Sequence, residues 1–145
     1  MLVDNMKVLL ASSYSLYLKA ANFHWNTEGP MFPQNHEFLG NFYGDIYGTT
    51  DRIAEYIRAL DSYAPGSFTR FQELTIIEDC MEQLPPTEQF TELLADSNTL
   101  LMYLNDSFML ATAENQQGIA NFLAERVDAM QKHNWMLRST LKAKM

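Results

Sequence analysis

Helix-breaking residues are few in this chain, and their positions divide it. The five prolines of the 145 residues fall at Pro30, Pro33, Pro65, Pro85 and Pro86. Proline lacks the backbone N–H that a helix interior needs and clashes with the preceding turn. What remains between these points are long stretches in which apolar residues recur every three or four positions, as one face of a helix requires. The first runs from about 3 to 26, with Val3, Met6, Leu10, Tyr14, Tyr17, Ala21 and His24 on one side, and Asn26-Thr27-Glu28-Gly29-Pro30 stops it. A second is expected from about 34 to 62, ended by Tyr63-Ala64-Pro65-Gly66. Residues 67–86 form a connector with short helical pieces around Phe68–Leu74 and Glu78–Gln83, closed by Pro85-Pro86. Thr87 is the expected N-cap of a third helix over 88–112, with Glu88 placed against the helix dipole. A fourth covers 117–143, with Lys142 and Lys144 near its C-terminal end. Four long helices with one longer connection describe an all-α four-helix bundle, a single domain over 1–145 with a short helix in the connector between helices two and three.

Composition narrows the function. A hydrophobic content of 47% is enough for a packed core and argues against disorder. The net charge of −8, without a basic tail or patch, argues against direct DNA binding and suits a protein that attracts cations. Cys80 is the lone cysteine, so no internal disulfide forms. There is no apolar run of membrane-spanning length and no signal-peptide pattern at the first residues. The expected setting is the cytoplasm, with no membrane partner.

The chemistry lies in four residues. His24 ends the first helix and His36 opens the second, so the loop between them folds the two imidazoles toward each other. Asp51 and Glu55, four apart, share one helical face. His36 and Asp51 are separated by about 22 Å along one helix, at ~1.5 Å per residue. If all four share a metal, the histidines of one chain must meet the carboxylates of another. Gly40, Gly44 and Gly48 lie on the same face between them. Each glycine costs roughly 1 kcal/mol in a helix interior relative to alanine; a second helix crossing closely would account for all three. Antiparallel pairing of two copies about Gly44 places two identical sites ~25 Å apart, at the same helical rise. Imidazole with carboxylate suits Fe(II), Zn(II) and related ions.

These residues resemble a known family. Asn22-Phe23-His24-Trp25-Asn26, Gly29-Pro30-x-Phe32, His36-Glu37, Asp51-x-x-Ala54-Glu55, Ala64-Pro65-Gly66-Ser67 and Lys132-His133-Asn134-Trp135-Met136-Leu137-Arg138 are similar to the Dps mini-ferritins, a branch of the ferritin-like superfamily. The resemblance implies a ferritin-like bundle in a hollow dodecamer built from two-fold dimers. It further implies a ferroxidase that oxidises Fe(II), typically with hydrogen peroxide, stores ferric mineral and protects against oxidative stress. Iron would be held by His24, His36, Asp51 and Glu55, with zinc or another divalent metal able to substitute.

The chain departs from that pattern at Gly40, where the family usually has an aspartate four residues after the second histidine. The first iron position keeps His24, Asp51 and Glu55, while the second keeps His36 and loses its own carboxylate. Weakened activity, or a metal-binding cage with little turnover, is the alternative this suggests, and Gly40→Asp is expected to raise the oxidation rate. A DNA-protecting protein acting without a basic tail is a further alternative. Trp25 is either a neighbour of the site that intercepts an oxidising equivalent or a plain core or interface residue. Tyr43 and Tyr47 are expected to pack, His133 to be a structural or interface residue, Cys80 to be inert, and the methionines to fill the core. Glu114 is either a pore residue or not.

Overall fold

The structure, a computed structural model, describes residues 1–142. Its helices are α1 Leu2–Asn26, α2 Phe32–Tyr47, α3 Thr50–Ala59, α4 Phe68–Leu74, α5 Pro86–Ala113 and α6 Gln117–Leu141. No strand occurs among the described residues. The helix α1 packs against α2, α3, α4 and α5, and α5 packs along α6. The bundle core is apolar: Leu9, Leu16 and Phe23 of α1 meet Leu39, Phe42 and Ile46 of α2, Leu93 and Leu100 of α5, and Phe122 and Leu137 of α6. Each such side chain contributes roughly 1.5–3 kcal/mol relative to exposure.

The expected second helix divides in two. Thr49 N bonds to Ile46 O, and the Thr49 and Thr50 hydroxyls donate to the Ile46 and Tyr47 carbonyls. Hydroxyls that return to the preceding turn loosen a helix there, and Gly48 offers no side chain to resist. Both residues of the break keep right-handed angles, Gly48 at φ −62° and Thr49 at φ −92°. The helix α3 then ends where Asp61 takes a positive φ of 64°, with Ser62 N bonded to Ile57 O and Asp61 N to Arg58 O. This is a Schellman closure. Asn115, φ 60°, closes α5 in the same way.

Two expectations in the connector have different outcomes. Phe68–Leu74 is helical, capped by Ser67, whose hydroxyl accepts from Arg70 N. Glu78–Gln83 is not helical. Two of its carbonyls are taken up by α1, where Lys19 Nζ donates to Glu78 O and Asn22 Nδ2 to Cys80 O, and just before it Ile76 N donates to the Ser12 hydroxyl. Thr87 is not a cap either, because α5 starts two residues earlier than expected, at Pro86, which suits a first turn, and Pro85 holds the cap position. The end of α6 is at Leu141 with Lys142 as its cap; the expected end at 143, and Lys144, lie outside the described residues.

Charges inside the bundle are paired. Lys19 is 5% exposed and bonds Glu92 and Asp96, each at 2.8 Å. Burial opposes its charge, but the bonds to Asp96 and Glu92 outweigh it and hold its pKa above the usual lysine value. Glu114 accepts a bond from Leu2 N at the start of α1, a structural role that ties the two ends of α1 and α5.

Candidate metal centre

His24 lies in the last turn of α1 and His36 in the second turn of α2. The short loop brings their rings face to face, with centroids 3.7 Å apart and planes 17° from parallel. His24 Nδ1–H donates to the His36 carbonyl at 2.7 Å, and His36 Nδ1–H donates to the His24 carbonyl at 2.9 Å. A carbonyl can only accept, so each Nδ1 carries the proton and, in the neutral ring, each Nε2 keeps its lone pair. Fixing one ring nitrogen on a carbonyl is how proteins present the other to a metal. Phe32 stacks on the far face of His36 at 5.0 Å, and Tyr43 meets His24 edge-on at 5.2 Å.

Gly40 has a place in this packing. A Cβ built there would come within 3.0 Å of His24 Cε1 and 3.3 Å of Nδ1. The imidazole therefore occupies the room that any side chain at 40 would need. The expectation that Gly40→Asp simply adds a ligand meets this obstacle: the carboxylate arrives on a methylene that must push the histidine aside. Gly44, by contrast, is exposed and faces nothing within 4 Å.

Asp51 and Glu55 stand in the first and second turns of α3, both exposed. Asp51 borders a surface groove of about 420 Å³, walled also by Tyr14, Tyr47, Pro65, Phe68 and Phe71. Among the described residues, no three His, Cys, Asp or Glu side chains of one chain converge where a metal could sit. The structure thus brings the two histidines together and leaves the carboxylate pair apart from them.

The remaining singled-out residues resolve as follows. Trp25 is 62% exposed and lines a larger groove with Leu18, Phe68 and Ile76. His133 Nε2 bonds Asp45 at 2.7 Å and its ring meets Phe42 edge-on, which is a structural role. Asp45 also takes a two-pronged bond from Arg126, at 3.1 and 2.9 Å. The His133 bond foremost, with Arg126, holds its carboxyl well below the usual range against the opposing effect of burial. Sequence reading missed Asp45, which no spacing marks, and the parts played by Phe32 and Gly40. Phe32 stands four residues before His36, a spacing that places it on the same face.

No helix among the described residues is long and apolar enough to cross a membrane. The sequence matches the ferritin-like domain over residues 3–145. It is 32% identical over 135 residues to a low temperature-induced protein of Nostoc sp., covering 92% of this chain and 75% of that one. It is 25% identical over 126 residues to DNA protection during starvation protein 2 of Bacillus anthracis, covering 87% and 86%. Its fold superposes on the crystal structure of Dps from Staphylococcus aureus with a TM-score of 0.95 at 24% identity, over 99% of this chain and 96% of that one. The chain belongs to the Dps family of the ferritin-like superfamily.

Proposed function

We propose that this chain is a subunit of an iron-oxidising mini-ferritin. Fe(II) is its substrate, bound between two subunits by His24 and His36 of one and by Asp51 and Glu55 of the other. Hydrogen peroxide accepts the electrons, and the ferric product is stored inside a hollow dodecamer. The observation that carries this reading is the clamped histidine pair. Two imidazoles locked by reciprocal carbonyl bonds present Nε2 donors, while the carboxylates needed to complete a mixed N/O set stand elsewhere on the same chain. Two-fold pairing supplies the missing half twice over. In this arrangement the histidines bind and orient the ion, and the carboxylates neutralise its growing charge as it is oxidised. Gly40 favours one firmly held ion per site, because the second position lacks a carboxylate of its own. The net charge of −8 weighs against direct DNA contact, so any protection of DNA would act through removal of iron and peroxide.

The test uses two inactive partners. Chains carrying His24→Ala with His36→Ala, and chains carrying Asp51→Ala with Glu55→Ala, are each expected to lose peroxide-driven iron oxidation, followed by ferric absorbance. Co-refolded in equal amounts, they should regain about a quarter of the wild-type sites, since half the dimers are mixed and each mixed dimer has one intact site of two. No recovery in verified mixed dimers would refute the inter-subunit site.

A further inference from the structure

Four tyrosines meet where α1 crosses α2. Tyr17 is their hub, with ring centroids 5.4 Å from Tyr14, 5.6 Å from Tyr43 and 4.6 Å from Tyr47. These are contact distances for aromatic rings. At one end Tyr43 touches His24 edge-on, with centroids 5.2 Å apart. At the other, Tyr14 and Tyr47 wall the groove that Asp51 borders. A run of touching aromatic rings thus leads from the histidine half-site of a chain to the groove that Asp51 of the same chain borders. Packing alone would accept phenylalanine at each position; what tyrosine adds is a phenol that can lose an electron and a proton reversibly.

The consequence follows from the two-subunit reading of the site, on which this inference rests. In a two-fold pair, the histidines and carboxylates of one chain belong to different metal sites. The tyrosines therefore link the two sites. With Gly40 leaving one firm ion per site, a peroxide arriving at either meets only one ferrous electron there. A one-electron reduction splits the O–O bond into hydroxide and a free hydroxyl radical.

We propose that Tyr43, Tyr17 and Tyr47, flanked by Tyr14, conduct the second electron from the iron at the far site, so that two distant single-iron sites act as one two-electron reductant. Peroxide takes one electron from the near iron and one from the tyrosine run. Its O–O bond breaks to give two hydroxides, and the far iron refills the run. Both irons end ferric and every tyrosine ends as it began. The phenol proton released during passage goes to water and returns from it at Tyr47, which is 45% exposed.

The test compares wild type with Tyr17→Phe, which keeps the ring and its packing. Assembled protein is loaded anaerobically with one Fe(II) per subunit and given half an equivalent of peroxide. Ferric absorbance, residual peroxide and spin-trapped hydroxyl radical are read together, with zinc affinity and Tm as checks on structure. Wild type should consume one peroxide per two irons with little trapped radical. Tyr17→Phe should bind zinc and melt as wild type does, yet give several-fold more radical adduct and fewer irons oxidised per peroxide. Tyr103→Phe, on α5 away from the run, should match wild type. If wild type oxidises iron normally and Tyr17→Phe gives the same radical yield and stoichiometry, the electron path is overturned while the site stands. If wild type oxidises no iron, the reading of the site itself fails. Should Tyr17→Phe assemble poorly, Tyr47→Phe at the rim serves instead, with the same two outcomes deciding.

Discussion

Replacing Gly40 by alanine sets two known effects against each other. Alanine in a helix interior is favoured over glycine by about 1 kcal/mol, so α2 considered alone should gain stability. The added methyl, however, lands 3.0 Å from His24 Cε1 and 3.3 Å from its Nδ1. That ring cannot easily yield. It is stacked on His36 at 3.7 Å, bonded through Nδ1 at 2.7 Å and backed by Tyr43. Overpacking of this kind costs about 1–3 kcal/mol. The expected net change is a destabilisation of at most ~2 kcal/mol, the difference between those two ranges. Metal affinity should suffer more, because a shift of the imidazole moves Nε2 and lengthens the bond that fixes it. Losses from disturbing such supports are typically ~10–100-fold. Zinc is a suitable redox-inert probe, titrated calorimetrically into assembled wild type and Gly40→Ala, with urea unfolding run in parallel. A variant stabilised by the full ~1 kcal/mol of helix propensity and binding zinc as tightly as wild type would refute the placement of His24 against Gly40. Gly40→Asp should show the same loss of His24 positioning, offset by whatever its carboxylate recovers.

Two further outcomes test the supporting structure. Asp45→Asn should flatten the acid side of the stability curve: a carboxyl whose folded pKa is depressed contributes fully above its unfolded pKa of ~3.9, and that contribution disappears as pH falls below it. With the side chain 36% exposed, the wild-type advantage at neutral pH should be modest, ~1–2 kcal/mol after screening, read by thermal melts between pH 7 and 3. Lys19→Met should leave Glu92 and Asp96 without their cation and cost about 3–5 kcal/mol in urea unfolding; a loss under ~1 kcal/mol would mean the cluster is wetter than its burial indicates.

Much of the bundle was legible in the sequence because proline punctuation and the three-four spacing of apolar residues are both local signals. The limits of α1 and the presence of α4 follow from them. The break at Gly48–Thr49 was not legible: a threonine hydroxyl inside a helix can point outward or turn back to the preceding carbonyl, and the choice depends on packing against α1. The pairing of His24 with His36 could be inferred from the loop, but the reciprocal carbonyl bonds that select their tautomers could not, because they depend on the angle at which two helices meet. Asp45 shows the same limit from the other side. Its partners, Arg126 and His133, are 81 and 88 residues away, and no periodicity connects them.

The segment from Ile76 to Cys80 has a consequence for how this protein tolerates change. It is held through its own backbone groups, by the side chains of Ser12, Lys19 and Asn22. Its path is thus written in another part of the chain, on one helix surface more than fifty residues earlier. Substitutions of exposed residues such as Glu78 and Asp79 should pass with little effect, since carbonyls and amides are common to every residue except proline, which lacks the amide. A single change at Lys19 or Asn22 should release the strap at a point where no change within the strap itself can refasten it.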